Sequence, residues 1–420
     1  MLALCLFLNL PALVLATYPS PTLATRREPC LLPDTYPEVS TTTLPDPWKF
    51  IDGKSVSTAA DFVCRQIEIS KILQQFELGD LPSAPDSVTS VWAETGNMMN
   101  ITATVGSKSA TWSVRIVRSA SDNSTAPPPP SGSPAIIALG GSWIPIPSSI
   151  RQIIFNNDEC ASQAGGGSRG RGKFYELHGS SHSAGSLMAW TWCVGRIIDG
   201  LEQLGAATTG INPSRVGVTG CSRHGKGAFV VGAFEKRIAL TIPQESGGGG
   251  AACWRMMNDE IRRRRPSSCC ECGVAEPGCW SDPTRQATWF ARKFDWRTIH
   301  SVPADHHLLA ALVAPRGLYV VENNIDHLWP WSTAGCMKAG RMVYSGIGAQ
   351  GNMGFSMIGG HSHCQFQTAG QADLFSFMDQ FLLLSGQANV VDTSRVVNND
   401  LPSFIAGWSR APNITHDWEV

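Results

Sequence analysis

The sequence predicts an α/β fold, a three-layer αβα sandwich around a mostly parallel sheet. Two observations carry the prediction. From Pro134 onward, short apolar runs bounded by turn residues alternate with helical patterns, which is how buried parallel strands read. Between two of these runs, Leu187, Trp190, Val194, Ile197, Ile198 and Leu201 recur on one helical face. The chain has 420 residues, 43% of them hydrophobic, ample for one large core.

Each element follows in order. Residues 1–16 are almost wholly apolar and end in Val14-Leu15-Ala16, so a signal peptide is expected there. Residues 17–45 are rich in Pro, Thr and Ser and read as an extended arm pinned by Cys30. Residues 46–420 are expected to form a single domain. Ile101–Val105 and Trp112–Val117 alternate and are joined by Gly106–Ser109, a hairpin signature. Ser119–Pro134, with four consecutive prolines from Pro127, reads as a loop because proline cannot serve a sheet centre. Ala135–Leu139 and Gln152–Phe155 are the next strands, then the Leu187–Leu201 helix. Val216–Val218, Ala239–Ile242, Gly317–Val321 and Gly354–Ile358 are four more strands, and Asp373–Leu384 is a final amphipathic helix.

The chemistry is concentrated after these strands. In Arg215-Val-Gly-Val-Thr-Gly-Cys-Ser-Arg-His-Gly-Lys-Gly227 a β-branched run feeds a glycine-flanked serine and then a helix-compatible stretch, the form of a nucleophile elbow. Gly220 and Gly225 suit it, since a strained elbow needs small neighbours and often positive φ. The spacing G-x-S-x-x-G differs from the usual G-x-S-x-G, so a plain Gly/Ser loop stays open on this stretch alone. A serine esterase also needs a base and an acid to orient it. Glu245 follows the Ala239 run, and His361 and His363 follow the Gly354 run, so both candidates stand at carboxyl ends of strands. The order Ser…Glu…His is that of α/β-hydrolases. A solvated Glu245 and structural histidines are the competing readings. Cys221 beside Ser222 and Cys364 beside His363 tip the balance: if they pair, the bond tethers nucleophile to histidine and favours His363 as the base. Ser181-His-Ser-Ala-Gly185 mimics an elbow but has no strand before it; Ser180–Ser183 is expected to start and cap a helix.

Composition narrows the setting. A formal net charge of −1 gives no reason to expect nucleic acid or a membrane as partner, and no run after the first is long enough to span one. Thirteen cysteines and sequons at Asn100, Asn123 and Asn413 suit a secreted glycoprotein. Fourteen tryptophans suit sugar stacking and a large core equally well.

Taken together, Gly220–Gly227, Ile242–Gly247, Asp305–Ala311, Glu322–Asp326 and Gly359–Phe366 resemble the fungal glucuronoyl esterases, carbohydrate esterase family 15. Phe155–Asp158 and Gly179–Gly185 agree, and the likeness spans nearly the whole chain after the leader. The resemblance implies a secreted esterase with the α/β-hydrolase-like architecture, cleaving the ester between lignin alcohols and the (4-O-methyl-)glucuronic acid side groups of glucuronoxylan. It implies Ser222 as nucleophile, His363 as general base and acid, and Glu245 as the residue orienting the imidazolium. Arg223 would stabilise the oxyanion, and Lys226 would face the uronic-acid hydroxyls. The family's cystine pattern falls on Cys30 with Cys64, Cys221 with Cys364, and Cys253 with Cys336. No metal or organic cofactor is called for, and a monomer is expected. The clustered Cys269, Cys270, Cys272 and Cys279 have irregular spacing for a metal site.

Two departures from the family stand out. Residues 256–285, with the basic run Arg262–Arg265, do not resemble the family's helical insert that supplies a Gln and a Glu to the sugar; Gln286 is the nearest substitute. His327 stands where the family usually has a sugar-binding tryptophan, and Trp329 or Trp331 are candidates to compensate. Two alternatives follow: another secreted carbohydrate esterase, or a turnover-impaired polysaccharide-binding homologue. An intact Ser222, Glu245 and His363 set speaks against the latter.

Overall fold

The computed structural model describes residues 30–117, 130–264, 288–388, 400–412 and 414. Gln286, Asn123, Asn413, the leader and the Cys269–Cys279 cluster lie outside the described residues. Nine strands form one sheet: β1 (Ser87–Ala93), β2 (Met98–Val105), β3 (Lys108–Val117), β4 (Ser133–Leu139), β5 (Arg151–Phe155), β6 (Ile211–Cys221), β7 (Ile238–Gln244), β8 (Gly317–Glu322) and β9 (Met353–Met357). Their order is β1-β2-β3-β5-β4-β6-β7-β8-β9. The first three strands pair antiparallel, and β5, β4, β6, β7, β8 and β9 run parallel.

The strand alternation sorts two cores onto opposite faces. Ile137, Val218, Leu318 and Val320 face one core with Trp190, Val194 and Phe229 from the helices. Ile136, Leu240, Ile242 and Tyr319 face the other, covered by Leu374, Phe377, Phe381 and Leu382. Three layers result, the second helical layer being the thin one.

Several expectations are refined. The helix read at Leu187–Leu201 runs Ser186–Thr209, with a break in helical geometry at Gly205. It is buried on every face from Ser186 to Ile198 rather than amphipathic, because β1, β2 and the helix Arg223–Phe234 enclose it. Pro134 belongs to β4, tolerated because the β4–β6 register shifts between Ser133 and Ala135. The hairpin turn is only Gly106-Ser107, with Gly106 at φ 58°. The final helix is Gln371–Met378 continued by a π-helical turn, Asp379–Leu383. The arm does not stop short of the core: Tyr36 and Leu44 are buried, and Val39 and Thr41 donate to the carbonyls of Ser301 and His300. Residues 36–44 of the expected arm thus pack onto the domain.

Helix Trp254–Arg264 begins under Asp305, whose carboxylate accepts from the N–H groups of Trp254 (2.8 Å) and Arg255 (3.1 Å). An acid there meets the unpaired N–H groups of a first turn. Next to it, His306 is buried against Glu77 at 2.6 Å and against the Gly250 carbonyl at 2.6 Å. Burial alone would hold His306 neutral, but the Glu77 carboxylate, joined by Asp305 and the Gly250 carbonyl, outweighs it and raises its pKa above the ordinary histidine value.

Candidate active site

The carboxyl ends of β6, β7 and β9 deliver the three residues singled out above. Ser222 follows β6 directly and caps the helix Arg223–Phe234 at φ 60°, ψ −125°. Its N–H donates to Gln244 O at 2.9 Å, fixing the turn to the end of β7. Here the structure corrects the expected role of the glycines: positive φ falls on Ser222 itself, while Gly220 and Gly225 supply space. A Cβ on Gly225 would lie 2.4 Å from Gln244 O, and one on Gly220 2.6 Å from His224 O.

Glu245 leaves β7 at φ 44° and is fully buried, which removes the solvated-loop reading. Its N–H donates to Val321 O at 2.7 Å. Its Oε2 accepts from His363 Nδ1 at 2.7 Å and from the Cys364 N–H at 2.9 Å. Cys364 is also held at positive φ, 65°. Ser222, Glu245 and Cys364 thus all occupy a region that side chains avoid, the strain expected where a site dictates the backbone. Cys221 and Cys364 are joined, with Cα atoms 5.8 Å apart, so nucleophile and imidazole segments are stapled together. The same sulfurs lie near an imidazole nitrogen of His363, but a disulfide offers no thiolate to a metal.

His361 also approaches Glu245, its Nδ1 3.8 Å from Oε1, but its hydrogen bonds go to other groups. Its Nε2 donates to Ile358 O at 2.5 Å and its Nδ1 faces Asn323 Nδ2 at 3.1 Å. His363 Nε2, by contrast, makes no hydrogen bond among the described residues. The bond to Ser222 Oγ is therefore open in this state, as is common in resting sites of this kind.

Arg223, the first helical residue, is half-buried within electrostatic reach of Asp158. Burial raises the Asp158 carboxyl above its usual range, against the opposing pull of Gln163 and Arg223. Lys226 is buried; its Nζ donates to Ser246 O at 2.7 Å and lies 5.5 Å from the Trp289 ring centroid. His327 sits in the single turn Asp326–Leu328 with its ring edge-to-face on His363, centroids 5.1 Å apart. Trp329 is buried, and Trp331 is half-buried, edge-to-face on Phe404. Cys253 pairs with Cys336, and Cys30 and Cys64 are disulfide-bonded. Cys160 and Cys193, left over by the family pattern, pair with each other. Asn100 is on β2, its Oδ1 accepting from Ser113 Oγ. Ser180–Ser183 does not cap the following helix: Gly185 is the N-cap without a side-chain bond, and Ser183 Oγ bonds Asp80 instead.

Sequence reasoning missed Gln163 and Trp289. Trp289 Nε1 donates to Gln163 Oε1 (2.9 Å), and Gln163 Nε2 reaches His224 Nε2 (3.1 Å). Burial and then the Arg223 charge depress the His224 pKa to about 4, so this ring is neutral and does not compete as a base. It packs against Gly140 instead, whose added Cβ would lie 2.2 Å from it. No local pattern marks these residues, since their partners are far away in sequence.

A family model described as glucuronyl esterase, fungi, matches residues 101–348. The chain belongs to this family. A 4-O-methyl-glucuronoyl methylesterase of Thermothelomyces thermophilus is 48% identical over 405 residues, 91% of each chain. One of Neurospora crassa is 47% identical over 370 residues, 86% of each chain. Among solved structures, the glucuronoyl esterase of Sporotrichum thermophile superposes with a TM-score of 0.79 at 49% identity, over 89% of this chain and 96% of that one. A serine-to-alanine mutant of that enzyme, in complex with methyl 4-O-methyl-β-D-glucopyranuronate, gives 0.81 at 49% identity, over 90% and 97%. The chain is a carboxylic ester hydrolase with an α/β-hydrolase fold, as its glucuronoyl esterase relatives are.

Proposed function

We propose that this protein is a secreted serine esterase that hydrolyses the ester between (4-O-methyl-)glucuronic acid of glucuronoxylan and lignin alcohols. The observation that carries the proposal is the Glu245–His363 hydrogen bond, 2.7 Å, stapled to the Ser222 elbow by Cys221–Cys364. The uronate ester complex of the Sporotrichum relative supports the acyl half of the substrate. Eight disulfide-bonded cysteines among the described residues suit an oxidising compartment.

In the proposed mechanism, His363 Nε2 takes the Ser222 proton as Oγ attacks the uronoyl carbonyl. Glu245, held at Nδ1, fixes the tautomer and stabilises the imidazolium. The oxyanion forms at the start of the Arg223–Phe234 helix, where first-turn N–H groups and the Arg223 guanidinium supply positive charge. His363 then protonates the departing alcohol, and water resolves the acyl-enzyme through the same base. Lys226, buried among Ser246 and Trp289, marks the uronate side. The discriminating test compares a glucuronate ester with an acetyl ester of a neutral sugar, for the wild type and Lys226→Ala. The account expects strong preference for the uronate, eroded by the mutation; equal turnover of both esters would defeat it.

A further inference from the structure

A second carboxyl lies behind the triad. Glu322 ends β8, the strand between the Glu245 and His363 strands, and is 1% exposed. Its Oε1 accepts three bonds from the residues directly after Glu245: Ser246 N–H at 2.8 Å, Ser246 Oγ–H at 2.8 Å and Gly247 N–H at 3.3 Å. Ser246 is itself a junction. Its carbonyl receives Lys226 Nζ at 2.7 Å, and its Oγ accepts from the Ala251 N–H at 3.0 Å. One carboxyl therefore holds the short turn from which both the catalytic acid and the uronate-side lysine take their positions.

We propose that Glu322 is a positioning residue, acting as a neutral carboxylic acid that locks the Ser246 turn and thereby sets Glu245 against His363 and Lys226 against the uronate. This rests on the reading of Ser222, His363 and Glu245 as the triad. Neutrality has a physical reason. Burial, and then the nearby Glu245 charge, raise the Glu322 pKa to about 8 against the three donors on Oε1. Oε2 meets no partner among the described residues, so no cation there favours the ionised form. The titratable groups on the surrounding elements are Glu245 after β7, Arg223, His224 and Lys226 on the helix after β6, Asp326 and His327 after β8, and His361 and His363 after β9. With Glu322 neutral, Glu245 is the one anion of this pair facing the imidazole. Ionising Glu322 sets like charges on either end of a two-residue turn, and their repulsion loosens it.

The experiment is the pH profile of kcat and KM on benzyl glucuronate between pH 5 and 9.5, with spontaneous hydrolysis subtracted, for wild type, Glu322→Gln and Glu322→Ala. The wild type is expected to lose kcat about tenfold per pH unit above an apparent pKa near 8. Glu322→Gln mimics the neutral acid. It should retain wild-type kcat at pH 6 within about threefold and lack the alkaline limb. Glu322→Ala frees the turn, so kcat should fall and KM rise together, each by about tenfold or more. An alkaline limb unchanged in Glu322→Gln would assign it to another group such as Lys226 and overturn the proposal. So would a glutamine variant as impaired as alanine at pH 6, or an alanine variant equal to wild type. If the alanine variant does not fold, the glutamine profile decides alone. A folded wild type inactive on benzyl glucuronate would instead refute the underlying triad reading.

Discussion

Removing the Cys221–Cys364 bond separates what the disulfide does for stability from what Glu245 does for catalysis. The bond closes a loop across 143 residues of sequence. By the chain-entropy relation its loss costs roughly 5 kcal/mol at 25 °C, an upper figure since reduced chains keep residual structure. A 420-residue chain has an unfolding entropy of about 0.9 kcal/mol/K. The double variant Cys221→Ala/Cys364→Ala should therefore melt roughly 6 °C lower. Catalysis should suffer less, because Glu245 Oε2 still holds His363 Nδ1 and the Cys364 N–H. Each such charged hydrogen bond is worth about 1.5–3 kcal/mol, enough to keep the imidazole in place. Calorimetry and kcat on benzyl glucuronate, below the lowered melting range, measure both effects. The expected kcat loss is about tenfold. A loss beyond roughly 1000-fold would show that the disulfide, not Glu245, aligns the base. An unchanged melting temperature would refute the tether argument.

Two further predictions concern space and charge. Gly225→Ala brings a methyl within 2.4 Å of Gln244 O, the acceptor of the Ser222 N–H, so it should cost about 1–3 kcal/mol and at least about 100-fold in kcat. Gly351→Ala, with nothing within 4 Å, is the neutral control in melting and turnover. For the His306–Glu77 pair, the raised folded pKa means its stabilisation is fully present below the ordinary histidine value and is lost as pH rises through the raised one. Melting curves from pH 5 to 9 should show that decline in wild type and a flatter dependence in Glu77→Gln; identical slopes would refute the coupling.

The strands from Ala135 to Met357 were legible because buried parallel strands are short apolar runs between turn residues. Their carboxyl ends then placed Ser222, Glu245 and His363 on one edge of the sheet. Helices Ala59–Leu73, His307–Val313 and Pro330–Gly346 escaped that reading. The last opens on proline after Trp329 at positive φ and is rich in Gly, Ser and Thr, so its pattern is diffuse. Gln163, Trp289 and Glu322 were illegible as site residues for a different reason. Trp289 meets Gln163 across 126 residues and Glu322 meets Ser246 across 76, and no local spacing encodes such contacts. The left-over Cys160 and Cys193 likewise found each other only through the packing of helix Ser186–Thr209.

The central claim is that Ser222, aligned by His363 and Glu245, turns over a glucuronate ester. Hydrolysis of benzyl glucuronate by the purified protein, with Ser222→Ala alongside, tests it most directly. The account predicts turnover in the wild type and a loss of at least about 1000-fold in the folded mutant. Equal turnover by the mutant, or none by a folded wild type, would contradict it.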